Sequence, residues 1–242
     1  MAEFTLITNA RIVNEGMVRE GDLLVRDDRI ERIDHSIRAP GNAAVIDAGG
    51  ALLLPGVIDD QVHFREPGLT HKGDIGSESR AAVAGGVTSF MEMPNTRPPT
   101  TTHAELENKF AIAARTAAAN YSFFFGATND NIEAIRALDP NDCCGIKVFM
   151  GSSTGNMLVD DEKTLAAIFR DAPVPITTHC ESTPMIEANL ARALQRYGPQ
   201  IPVTEHPRIR DTEACYVSTH QAVSLAREHG AQLHVLHLST AR

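Results

Sequence analysis

From residue 52 onward the chain alternates apolar runs with helix-forming segments, and this alternation limits the available folds more than any other feature. The runs occupy 52–58, 87–93, 121–126, 145–150, 174–178 and 232–238. Helix signals stand between them. Thr102 with Glu105 makes a capping box before an Ala-rich stretch to Ala119, and Asp130 with Glu133 repeats the reciprocal pattern as far as Leu138. Asp160 is placed to cap 161–170 and Asp211 to cap a helix stopping at Gly230; 81–84 stops at Gly85-Gly86. Parallel neighbours need crossover helices, so the pattern predicts a parallel sheet, either doubly wound or closed as a β/α barrel.

Polar residues at the ends of the runs separate these two folds. His63, Asn95, Lys147, His179 and His237 each fall at or near the C-terminal end of a different run. A doubly wound sheet gathers its site at one switch point, whereas a barrel collects residues from many strand ends around one mouth. No G-x-G-x-x-G fingerprint is present. The expected fold class is therefore α/β, a TIM-type β/α barrel. Before it, short strand-like runs at 4–7, 11–13, 22–25 and 29–33 are separated by the turn formers Asn14-Glu15-Gly16, Glu20-Gly21 and Asp27-Asp28, with Pro40-Gly41-Asn42 beyond them. This predicts a small N-terminal antiparallel β domain over 1–51 and a barrel over 52–242. Six βα units are present, and the chain stops at Arg242 directly after the sixth run. An open six-strand arc leaves two raw edges, so the expectation is a barrel truncated after its sixth strand.

Composition removes several function classes. With 242 residues, 43% of them hydrophobic, the chain can bury a substantial core. A formal charge of −9 without a Lys/Arg cluster disfavours nucleic acid as a partner, and absent Trp with 5% aromatics disfavours a stacking reader. No apolar stretch reaches the roughly 20 residues a bilayer requires, so no membrane partner is expected. Cys143, Cys144, Cys180 and Cys215 form no C-x-x-C pair, and no basic, apolar leader opens the chain. The expectation is a cytoplasmic protein whose partners are a small-molecule substrate and, at most, further copies of itself.

The decapeptide 59–68, Asp-Asp-Gln-Val-His-Phe-Arg-Glu-Pro-Gly, puts polar groups abruptly after a hydrophobic strand. Side chains alternate along a strand, so Asp59, Gln61 and His63 share a face, with Arg65 next in register. His63, His179 and His237 suit Zn²⁺, which takes neutral imidazoles at about 2.0–2.1 Å. A lone histidine is more often a surface or core residue; three at the strand ends of one sheet favour a metal. Lys147, flanked by apolar residues, is costly to bury as a cation and would repel a dication. It either pairs with a carboxylate or loses its proton and takes up CO2 as a carbamate, an anionic oxygen ligand able to bridge two metals; the neighbouring histidines favour the second. Arg65 and Asn95 suit an oriented carboxylate, the guanidinium bidentately and the amide as a further donor. A helix-dipole role or a salt bridge to Glu66 accounts equally for Arg65, and a turn before Pro98-Pro99 for Asn95.

Several segments together resemble the dihydroorotases of the amidohydrolase superfamily. They are Pro55-Gly56-Val57-Ile58-Asp59, His63-Phe64-Arg65-Glu66-Pro67-Gly68, Ala84-Gly85-Gly86-Val87-Thr88, Met93-Pro94-Asn95-Thr96, Gly145-Ile146-Lys147-Val148-Phe149-Met150, Thr178-His179-Cys180-Glu181 and His234-Val235-Leu236-His237-Leu238-Ser239. The resemblance runs from about residue 50 to the end, and the N-terminal strands are similar to the family's accessory β domain. It implies the reversible interconversion of dihydroorotate and N-carbamoyl-L-aspartate, a step of pyrimidine biosynthesis, by metal-bound hydroxide. By match, His179 and His237 hold one Zn²⁺, His63 holds another, and carboxylated Lys147 bridges them; Arg65 and Asn95 bind the substrate carboxylate. Hydantoinases, dihydropyrimidinases and allantoinases share the metal residues and are the alternatives. The segment 151–156 after Lys147 is small and polar enough to form a loop over the site.

Two departures from the family pattern stand out. Gln61 occupies the position of the first histidine in the usual His-x-His, and its amide oxygen is a poorer zinc ligand, leaving one or two ions per site open. The general-base Asp of the eighth strand has no counterpart before Arg242, so no catalytic acid–base residue is assigned within the chain, and the chain by itself is not expected to turn over. A barrel that kept its fold, lost catalysis and serves as an assembly partner is the competing class.

Overall fold

The computed structural model describes residues 3–151 and 157–241. It divides into two compact units, Met1–Val57 and Ile58–Arg242.

The first unit is a five-stranded sheet. Strand β1 (Phe4–Asn14) and β2 (Met17–Arg26) form an antiparallel hairpin whose turn residues, Glu15 and Gly16, both take positive φ (50° and 74°), as a two-residue type I′ turn requires. Strand β3 (Arg29–Asp34) pairs antiparallel with β2, while β4 (Ala43–Asp47) and β5 (Leu52–Leu53) lie parallel to β1. The turn expected at Glu20-Gly21 is instead the interior of β2. Gly21 pairs with Ala10 beside a bulge, and a Cβ there would lie 2.6 Å from the Asp34 carbonyl oxygen, so the glycine serves close approach rather than reversal. The buried Asp22 carboxylate fixes this bulge by accepting the Asn9 and Ile37 N–H groups at 3.1 and 2.8 Å. Leu6, Leu24 and Ile37 make the unit's small core.

The second unit alternates strand and helix: β6 (Val57–Val62), α1 (Ile75–Ala84), β7 (Val87–Glu92), α2 (His103–Thr116), β8 (Asn120–Gly126), α3 (Ile132–Arg136), β9 (Gly145–Phe149), α4 (Glu162–Asp171), β10 (Ile176–His179), α5 (Thr183–Tyr197), α6 (His206–Ile209), α7 (Thr212–His229) and β11 (Leu233–Val235). The strands lie in sequence order across one sheet, with β7 to β11 successively parallel. The sheet curls: His234 of β11 and Asp60 of β6, at opposite edges, approach to 3.5 Å. This is the curvature of a β/α barrel. Between sheet and helices lies a core led by Phe90, Phe123, Phe125, Ile146, Ile168 and Phe169.

Local chemistry explains the boundaries. The run at 52–58 is not one strand, because Pro55 cannot donate to a ladder; Leu52–Leu53 joins the first unit's sheet and the strand leading to the site starts at Val57. Thr102 caps α2 by accepting the Glu105 N–H at 3.2 Å, and Asp211 caps α7, which ends at left-handed Gly230. Asp161, not Asp160, caps α4, since the Asp160 carboxylate accepts from the Asn129 amide. Asp130 does not cap α3. Asn131 occupies that position, and its side chain ties the loop to the Thr101 and Gly126 carbonyls. Of the loop expected over the site, 152–156 lie outside the described residues.

Candidate functional site

His63, Asn95, His179 and His237 stand at or just beyond the C-terminal ends of β6, β7, β10 and β11, where a β/α barrel builds its sites, and Lys147 lies midway along β9. They form two walls with Lys147 between.

On the first wall, the His63 Nδ1–H donates to the Asn95 Oδ1 at 2.9 Å. This bond leaves Nε2 as the free lone pair of the neutral ring. Crowding by protein atoms, then the Arg65 charge, holds the imidazole down at about 4. His63 is therefore neutral at pH 7, the form that binds metals. Arg65 follows in a left-handed conformation with φ 72°. Its backbone N–H donates to Glu92 Oε1 at 3.1 Å. The Glu66 carboxylate accepts the Ile75 N–H at 2.9 Å, at the start of α1. Gln61 is half-buried one register step before His63, its backbone N–H donating to Asp59 Oδ1 at 3.1 Å.

The second wall is built on imidazoles facing each other. His179 Nδ1 and His237 Nε2 lie 3.2 Å apart. Two nitrogens bound to one tetrahedral ion at about 2.0–2.1 Å are about 3.3 Å apart, so this spacing fits a shared ion. The other nitrogen of His179, Nε2, donates to Glu181 Oε2 at 2.7 Å. A carboxylate only accepts, so in the neutral ring Nδ1 is the bare lone pair, turned toward His237. Arg210 grips the same carboxylate through two nitrogens, with Nε at 2.7 Å from Oε1. Burial, then its neighbours' charges, lowers His237 and keeps it neutral at pH 7. The Glu181 carboxyl, held by Arg210 and His179, falls to about 2 against the opposing effect of burial. Beside these groups lies a cavity of about 240 Å³ lined by Cys215, Thr219 and Thr240 as well as the two imidazoles.

Lys147 sits on β9, whose five residues are all buried. Its side chain is 1% exposed, and among the described residues its Nζ has no hydrogen-bond partner; it lies 4.7 Å from the Phe149 ring centroid. Burial lowers the amine to about 7. Its charge reaches both His63 and His237. Among the described residues no carboxylate pairs with Lys147. Among the described residues no group of three or more His, Cys, Asp or Glu side chains is placed to hold a metal ion.

Four residues given no role from sequence support this arrangement. Glu181 had a legible signal, since two positions past His179 at a strand end places them side by side. Arg210 is 29 residues further on and had none. Glu92 and Lys109 form a fully buried ion pair, Nζ to Oε2 at 2.8 Å; a charged residue inside the apolar run 87–93 was the available clue.

The family model described as dihydro-orotase-like matches residues 50–135. The chain is 34% identical over 239 residues to a dihydroorotase of Methanosarcina acetivorans, covering 97% of this chain and 50% of the relative. It is 32% identical over 244 residues to an allantoinase of Solibacter usitatus, covering 98% and 52%. In structure it is similar to an L-hydantoinase (dihydropyrimidinase) from Arthrobacter aurescens, with TM-score 0.91 and 27% identity, covering 97% of this chain and 53% of that one. The chain spans about half the length of the curated relatives it matches.

Proposed function

The chain belongs to the cyclic amidohydrolase superfamily, and on that premise we propose that it carries the metal-binding and substrate-anchoring part of a dihydroorotase. The reaction is the reversible hydrolytic opening of dihydroorotate to N-carbamoyl-L-aspartate. One observation supports the metal-dependent reading: a buried lysine, without a hydrogen-bond partner among the described residues, stands between a wall carrying His63 and a wall carrying His179 and His237. Burial lowers both His63 and His237. An ammonium there is poorly solvated and would repel a dication; a neutral amine that adds CO2 becomes an anion suited to the same place.

In this reading His179 and His237 would hold one Zn²⁺, and His63 with Lys147 as its carbamate would serve a second. The Gln61 amide oxygen is the weakest donor of the set, so an ion beside His63 would be the more easily lost. When bound, the metal supplies a Lewis acid that polarises the ring carbonyl and acidifies water. The chain's own residues do the rest. The Arg65 guanidinium takes the substrate carboxylate, the Asn95 amide orients it, and Glu181 fixes the tautomer and pose of His179.

Allantoinase is the second reading, favoured by relatives of that name at similar identity. The difference lies in the anion: dihydroorotate brings a ring carboxylate and allantoin does not. Assaying the complete protein with added zinc on dihydroorotate, dihydrouracil, hydantoin and allantoin decides between them. Turnover of dihydroorotate is expected. Turnover of neutral rings with none of dihydroorotate would overturn the assignment of Arg65, and zinc-free, inactive protein after zinc supply would point to the non-catalytic assembly class.

A further inference from the structure

The loops that follow β6 and β7 carry Arg65 and Asn95, and they are joined at several points. The Met93 N–H donates to the Val62 carbonyl at 3.0 Å and the Arg97 N–H to the Pro67 carbonyl at 3.1 Å. At Gly68, φ +80°, a Cβ would stand 1.9 Å from the Arg97 carbonyl oxygen, so the loops touch backbone to backbone. Between these points sits Glu92, 1% exposed, whose Oε1 accepts the Arg65 N–H at 3.1 Å. Lys109, 0% exposed on α2, meets Glu92 Oε2 at 2.8 Å and donates to the Met93 carbonyl at 3.0 Å.

Two features set this pair apart from ordinary core packing. Burying both charges carries a desolvation penalty that an apolar pair of similar volume avoids. Burial pushes the Glu92 carboxyl up and the Lys109 amine down, and each partner offsets the other's loss. The pair's remaining bonds also go to backbone at the two places that aim the site. Arg65 is in the left-handed region that non-glycine residues avoid, so its direction depends on what holds its N–H. Met93 is two residues before Asn95. One buried unit therefore holds both loops from beneath.

We propose that the Glu92–Lys109 pair is the positioning element that sets Arg65 against Asn95, and thereby the preference for a ring bearing a carboxylate. The substrate half of this statement rests on the dihydroorotase reading; the positioning half does not. Neither residue touches the substrate. Arg65 and Asn95 make the contacts, and Glu92 with Lys109 fixes their separation.

Two charge-free double variants of the complete, zinc-loaded protein test the proposal. Glu92→Gln with Lys109→Met keeps an amide oxygen to accept the Arg65 N–H. Glu92→Leu with Lys109→Met keeps the volume and removes the acceptor. The glutamine variant keeps the Arg65 acceptor but loses the Lys109 bond to the Met93 carbonyl, and is expected to raise the KM for dihydroorotate only a few-fold. The leucine variant is expected to raise it roughly 10- to 100-fold, the range for losing a charge-assisted contact, with kcat and bound zinc unchanged. Equal KM in both variants, or a joint fall of kcat and zinc content, overturns the proposal. Should the leucine variant not fold, the glutamine variant decides alone, and a KM raised as far as in Arg65→Met contradicts the account. A wild type inert toward dihydroorotate fails the functional reading instead. The crystal structure of whichever double variant folds then judges positioning. A leucine variant with the wild-type Arg65 φ and His63–Asn95 contact, or a glutamine variant that loses them, overturns it.

Discussion

The two walls of the mouth use the same device differently. At the β10 and β11 ends, a carboxylate paired to an arginine holds an imidazole directly: Arg210 fixes Glu181 and Glu181 fixes His179. At the β6 and β7 ends, a carboxylate paired to a lysine holds backbone, so Glu92 and Lys109 shape the loops and leave the side chains of Arg65 and Asn95 to act. The first pair is partly open to water; the second is buried entirely. In the proposed reading His179 is a metal ligand, whose ring orientation and tautomer one polar bond fixes, and Arg65 and Asn95 are substrate anchors, whose loops must be fixed while their polar ends remain available. Among the described residues Lys147, between the walls, has neither kind of support.

If that contrast is right, substitutions should separate by wall and by magnitude. The largest effect belongs to the centre. Lys147→Ala should lower turnover by a factor on the order of 10³, about 4 kcal/mol of transition-state stabilisation, with loss of bound zinc by metal analysis. Near-wild-type activity would remove the lysine from the site. Next come the single variants of the buried pair. Glu92→Gln or Lys109→Met alone leaves one uncompensated buried charge and should cost about 3–5 kcal/mol in urea unfolding, while the double variants recover most of it. A single variant as stable as wild type would show that the pair is not a charged one.

On the other wall, Glu181→Gln should weaken zinc affinity or activity about 10- to 100-fold, with little change in the KM for dihydroorotate. A change in KM alone would erase the distinction between the walls. The smallest effect is in stability. Arg210→Met should shift unfolding by about 1 kcal/mol or less, because water screens the partly exposed pair.

Titration of Lys147 gives a further check in metal-free, CO2-free protein. Its folded value is about 7 against an ordinary 10.5, so the unfolded chain binds more protons between those limits. Stability should therefore rise with pH across that window, by at most about 1.4 kcal/mol per unit, and Lys147→Met should lack this rise. A slope unchanged by the substitution would place the lysine in water.

Much of this was legible in the chain because its signals are local. Apolar runs and caps such as Thr102 and Asp211 placed most strands and helices within a few residues. The apolar runs singled out His63, Asn95, Lys147, His179 and His237 as candidates, and the structure places them on or just beyond the strands of one sheet. What escaped depends on contacts distant in sequence. Gly21 reads as a turn until the Asp34 carbonyl approaches it, and Asp130 reads as a cap until Asn131 reaches Thr101. Glu92 and Lys109 are 17 positions apart on different elements and acquire meaning only when α2 packs on β7. Arg210 becomes legible only when it reaches Glu181.

The central claim is that Lys147 is a carbamate in the working site, and ¹³C NMR of the zinc-loaded complete protein prepared in ¹³C-bicarbonate tests it most directly. The account predicts a carbamate carbon resonance that is absent from Lys147→Ala and is lost, together with activity, when zinc and CO2 are removed. A fully active wild type with no such resonance would contradict it.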